Sequence, residues 1–113
     1  MILPPFIVVP AFLVLAQADA PTKAEDLAEI YGRTLGAAAA CSNIARPRVD
    51  AAEAAASAHL KTLAANEGER AVAGRILADN VDRGGRDVAD GLTTCAQAES
   101  ELADLEHELA APR

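Results

Sequence analysis

The chain has 113 residues, room for one small domain, and about a quarter of them are alanine. Its 17 acidic and 10 basic side chains leave a net charge of −7, which disfavours nucleic acid and anionic membrane headgroups as partners. No stretch alternates β-branched or aromatic residues with period two, so the composition predicts an all-α chain without a sheet.

The first twenty residues, MILPPFIVVPAFLVLAQADA, carry no charge before Asp19 and hold an apolar run from Phe6 to Ala16. That length suits the hydrophobic part of a secretory signal and is short for a membrane span. Small residues at the spacing signal peptidase needs place cleavage after Ala18, with cleavage after Ala20 as the alternative. Pro21 behind the second site fits a protease cleft poorly. The expectation is a signal peptide over residues 1–18 and a single helical domain over 19–113, in the periplasm or secreted. The competing reading is an inner-membrane anchor left uncleaved, because residues 2–18 are uncharged, the n-region has no Lys or Arg, and three prolines interrupt the segment.

Thr22, followed three residues later by Glu25, predicts the start of a first helix through a capping box. Leu27, Ile30, Tyr31, Thr34, Ala38 and Cys41 recur at steps of three and four, so this stripe, Cys41 included, is expected to face the core. Pro47 cannot extend that helix but suits the first turn of a second, whose inner stripe is Val49, Ala52, Ala56, Leu60 and Leu63. Asn66 with Glu69 predicts a third start, and Val72, Ile76, Leu77 and Val81 its inner face. Val81, Val88, Cys95, Leu102 and Leu109 then stand seven apart, with Leu92 and Leu105 beside them, and read as one continuous apolar seam. Gly84, Gly85 and Gly91 fall inside that seam. The adjacent pair is expected to be a hinge between a third and a fourth helix, the alternative being a point of close helix approach.

The two cysteines have four competing roles. A lipid-anchor cysteine would follow the signal directly, and Cys41 lies too late for that. A metal site needs three or four converging donors, and neither His59 nor His107 has ligand spacing to the other or to a cysteine. A nucleophile needs a base and an activated thiolate, for which no signature is present. An oxidising compartment, an even count and inward-facing positions favour a disulfide between Cys41 and Cys95. In the chain-entropy description such a loop contributes about 4 kcal/mol. That matters to a core with few large side chains: beyond the signal there is no Phe, Met or Trp.

Two segments resemble a family of small exported two-cysteine helical proteins of alpha-proteobacteria, whose function is unknown. They are LAEIYGRTLGAAAAC, residues 27–41, and NVDRGGRDVADGLTTCAQA, residues 80–98. Asn80, Arg83, Gly84, Arg86, Thr94 and Cys95 fit the second motif, while the family tends to carry aromatic residues where this chain has Gly85, Val88 and Leu92. The resemblance implies export and the disulfide, and it implies no activity.

The remaining polar residues form no reactive constellation. The acids of DNVDRGGRD do not alternate as a calcium loop requires, and Ser42, Ser57 and Ser100 belong to no nucleophile motif. Arg70, Arg75, Arg83 and Arg86, interleaved with Asp79, Asp82 and Asp87, read as a solvated helix face. His107, between Glu106 and Glu108, reads as a surface histidine, and His59 as a residue at the edge of its helix's apolar stripe. Tyr31 is expected in the core with its hydroxyl at the rim, or else as an anchor for a partner. Tyr31, Asn80, Arg83 and Arg86 are the candidate interaction surface. The sequence therefore predicts a small bundle of three to four helices, stapled by one disulfide, with no cofactor and no catalysis. It would bind a protein partner or itself, with no stable membrane insertion after cleavage. The alternative function is a periplasmic acid or envelope-stress chaperone.

Overall fold

A computed structural model of the chain describes residues 20–111 and places four helices in that span, with no strand among the described residues. They are α1 (Lys23–Ala39), α2 (Arg46–Leu63), α3 (Glu67–Ala89) and α4 (Cys95–Ala110). The all-α bundle read from the sequence is the fold. The expected signal segment, residues 1–18, lies outside the described residues.

Local chemistry sets most of the helix ends. The Thr22 hydroxyl accepts a hydrogen bond from the Glu25 backbone N–H at 3.2 Å, and the Asn66 side chain accepts one from that of Glu69 at 2.9 Å. α2 starts without a side-chain cap; Pro47 in its first turn supplies a helical φ and has no N–H to leave unsatisfied. A full capping box opens α4, where the Thr94 hydroxyl accepts from the Gln97 N–H and the Gln97 side chain accepts from the Thr94 N–H.

The break between α3 and α4 corrects two expectations. α3 runs unbroken through Gly84 and Gly85, so that pair is not a hinge. The helix ends instead at Gly91, whose φ of +77° lies where a β-carbon is disfavoured. There the Leu92 N–H reaches back to the Asp87 carbonyl at 2.8 Å and the Gly91 N–H to that of Val88 at 3.1 Å. The seam from Val81 to Leu109 is therefore not continuous: Val81 and Val88 belong to α3, Cys95, Leu102 and Leu109 to α4. Leu92 sits in the turn between them, 74% exposed.

Gly84 is buried because two helices meet there. A β-carbon on Gly36 of α1 would stand 1.9 Å from the Val81 carbonyl oxygen, and one on Gly84 would stand 2.2 Å from that of Arg33. On Gly32 it would stand 2.7 Å from the β-carbon of Asn80. α1 and α3 thus cross backbone to backbone through glycine, as small residues four apart on one helix allow.

That crossing rotates α1 and overturns part of its expected inner stripe. Gly32 and Gly36 face α3, while Ala28, Tyr31, Leu35 and Ala38 complete the buried surface. Ile30 lies about 160° around the helix from Gly32 and is 59% exposed. On α3 the buried residues are Ala73, Leu77, Asn80 and Gly84, with Ile76 and Val81 packed partly against them and Val72 half-buried. α2 buries Val49, Ala52, Ala56 and Leu60 as its stripe predicts, and α4 buries Ala98, Leu102 and Leu105. α1 is the hub: it packs on each of the other helices, most extensively on α3, whereas α3 and α4 barely meet.

Candidate functional site

Cys41 lies just beyond the end of α1, 2% exposed, and Cys95 is the first residue of α4. Their sulfurs are at disulfide-bonding distance and their Cα atoms are 5.7 Å apart, within the normal range for a bridge. The link ties α1 to α4 across 54 positions of sequence, and neither sulfur is a free thiol. No group of three or more His, Cys, Asp or Glu side chains is placed to hold a metal ion among the described residues.

The four residues expected to form an interaction surface do not come together on one. Tyr31 is 1% exposed: its hydroxyl donates to the Glu108 carboxylate at 2.9 Å, and its ring centre lies 6.3 Å from that of His59. It joins α1 to α4 and α2 from inside, so it is not a surface anchor. Asn80 is 7% exposed and turned toward Gly32; its Nδ2 donates to the Ile76 carbonyl at 2.9 Å, and its enclosed Oδ1 has no partner. Arg83 and Arg86 remain on the exposed face of α3 with Arg75, Asp79 and Asp82, the solvated face expected there. His107 is exposed, as read, and His59 is half-buried at the edge of its stripe.

A different feature stands out on the surface. Because α3 and α4 do not close over α1, a trough runs along the exposed side of that helix. Its first section, about 270 Å³, has Ile30, Tyr31 and Thr34 on one side and Glu101, Asp104, Leu105 and Glu108 on the other. A second section of about 280 Å³ shares Ile30, Thr34 and Glu101 and continues past Arg33 and Ala37 to Asp87 and Thr93. An exposed aliphatic side chain thus stands beside a wall of carboxylates. Glu101, Asp104 and Glu108 recur at steps of three and four, the spacing that lines them along one edge of α4. That periodicity was present in the sequence; the position of Ile30 opposite it depended on the glycine crossing.

The other edge of α4 carries the second cluster missed by sequence reading. Arg48 of α2 reaches across to α4, giving Nε and Nη2 to the Glu106 carboxylate, at 3.0 and 2.7 Å, and Nη1 to Glu99 at 2.7 Å. These charge-assisted bonds hold Glu106 below the usual carboxylate range, chiefly through the hydrogen bond from Arg48, and raise the Arg48 guanidinium. The arrangement cross-braces α2 to α4, which pack on each other less than either packs on α1.

No protein-family model matches the chain, and neither a curated protein nor a solved structure shows significant similarity to it.

Proposed function

We propose that this chain is an exported helical protein that acts by binding another protein and performs no catalysis of its own. The observation that carries the reading is the trough along α1, where Ile30 is 59% exposed next to Glu101 and Asp104, while the other large apolar side chains among the described residues, Leu92 apart, are buried or half-buried. An apolar side chain inside a polar rim is the usual anatomy of a docking patch. Export is supported by the cysteine pair at disulfide distance, which is compatible with an oxidising compartment, and by the resemblance of residues 27–41 and 80–98 to exported two-cysteine helical proteins. No helix among the described residues is long and apolar enough to cross a membrane.

A photoreactive residue at position 30, activated in intact cells, tests the reading. We expect a discrete cross-linked species from that position and none from position 78 on the exposed side of α3. Absence of any adduct from either position, together with a monomer in sedimentation, would end it.

A second reading, an acid-stress chaperone, rests on the Arg48 brace. Protonating Glu106 removes a charge that holds α2 to α4 and would uncover apolar surface. It requires suppression of client aggregation at roughly pH 3 and below, because Arg48 holds Glu106 under the free-carboxylate range of about 4. Lack of suppression there eliminates it.

A further inference from the structure

We infer that a slot between α2 and α3 takes the C-terminal residue of another protein, an aliphatic side chain with a free carboxylate. The two helices diverge from the short turn 64–66 and pack on each other less than either packs on α1, so the space between them is not closed. The slot holds about 70 Å³ and lies between a different pair of helices from the trough. Its floor is Leu60, Ala73 and Leu77, all buried. Gly74 opens its α3 side: nothing stands within 4 Å of the position a β-carbon would take. A glycine inside a helix weakens it, and here, unlike at Gly84, no neighbouring backbone calls for one. What the missing side chain provides is the opening itself.

Size and charge choose the occupant. An apolar cavity of about 150 Å³ accepts a benzene ring, so a space about half as large suits one branched aliphatic side chain and is too small for a long acyl chain. The rim is cationic. Lys61 and Arg70 line the slot and also an open hollow of about 560 Å³ beside it. The Lys61 ammonium enters no ion pair among the described residues. Arg70 gives Nη1 to Glu67, whose side chain is 91% exposed, and Nε to the Lys61 carbonyl at 3.5 Å, which leaves Nη2. Ser57, half-buried, adds a hydroxyl to the lining. Because both bases line the slot itself, the anion must stand within a few bonds of the group that fills it. A C-terminal valine or leucine meets that condition, with side chain and carboxylate on one α-carbon; a glutamate elsewhere in a chain holds its charge farther off. The open hollow, lined further by Glu67 and Ala71, has room for the preceding residues, which directs the partner over the α2–α3 turn and clear of position 78.

The net charge of −7 opposes any anion at a distance, so the complex should be weak and suits NMR. The test titrates the isotope-labelled, oxidised protein with a short glycine-serine peptide ending in leucine and follows the backbone amide resonances. We expect shifts confined to residues 57–61 and 67–77. Amidating the terminal carboxylate, or replacing the last leucine with serine, should each weaken binding at least about fivefold. A penultimate glutamate in the amidated peptide should not restore it. Gly74→Leu fills the slot from its own helix and should weaken binding about tenfold without lowering the melting temperature. Lys61→Glu should weaken it about tenfold. Arg83→Glu makes the same change of charge on an exposed residue about 14 Å along α3 from Gly74 and should alter binding less than about twofold. All three positions are exposed, so circular dichroism should confirm that each variant keeps its fold. Equal losses from Lys61→Glu and Arg83→Glu would mean that net charge alone governs the contact, and would overturn the inference. So would an amidated peptide that binds as well as the free acid, indifference to Gly74→Leu, or shifts that fall elsewhere. Free isocaproate binding as tightly as the peptide would also overturn it, since the slot would then hold a small acid and no partner chain.

Discussion

Gly36 of α1 lies against Val81 of α3 so closely that a β-carbon on Gly36 would stand 2.6 Å from the Val81 carbonyl carbon. The obstruction is backbone, which no rotamer change relieves. Gly36→Ala must therefore push α1 and α3 apart along the largest interface in the molecule. We expect a loss of about 3 kcal/mol in urea unfolding. Gly74→Ala is the internal comparison: it lies within the same α3, nothing stands within 4 Å of its β-carbon position, and it should gain about 0.5–1 kcal/mol through helix propensity. Equal effects of the two substitutions would refute the crossing.

Cys41→Ser with Cys95→Ser should lower stability by about 2–4 kcal/mol without altering the helical circular dichroism at low temperature. The buried side of the molecule is built largely of alanine, which removes little apolar area from water per residue, so a loss of that size is large beside a small domain's net stability. An unchanged melting temperature would show that packing alone holds α1 to α4.

The Arg48 brace should give stability a specific pH dependence. Glu106 titrates lower in the folded chain than in the unfolded one, so its contribution is complete above the unfolded value of about 4.3 and is lost as pH falls through the lower folded value. The raised Arg48 stays charged throughout that window. Melting curves of the natural chain and of Arg48→Met should thus differ at neutral pH and converge in acid. A constant gap across the range would assign the effect to lost packing of the arginine stem.

Asn80→Ala should leave stability unchanged or raise it. The substitution removes an enclosed Oδ1 that has no partner and gives up one hydrogen bond, to a carbonyl within its own helix. Alanine also propagates a helix better than asparagine. A fall of more than about 1 kcal/mol in chemical denaturation would show that the Asn80 side chain is satisfied in solution.

Helix starts were the most legible part of the fold, because Thr22 and Asn66 act on backbone groups three residues away and need no tertiary information. The stripe of α2 and the cysteine pair were legible for a related reason: one pairing was available, and the apolar spacing left one face for the core. The end of α3 was misread. Apolar residues resume at heptad spacing after the turn, so Val88 and Cys95 look continuous although Gly91 reverses the chain between them. The signals that identify the turn, a glycine after the last helical residue and Thr94 with Gln97 beyond it, were present and were outweighed by periodicity. Ile30 was misplaced for a tertiary reason. Which side of α1 faces inward was decided by where backbone can approach backbone, and glycines carry no weight in a count of apolar side chains. The trough could not be read at all, since it exists where α3 and α4 fail to meet.

The hub position of α1 bears on how the molecule comes apart. Its three companions are arranged like spokes on an axle, each leaning on the centre more than on its fellows. Pulling the axle out of line would dissolve every large interface together, so no half-built remnant would remain to linger or to aggregate.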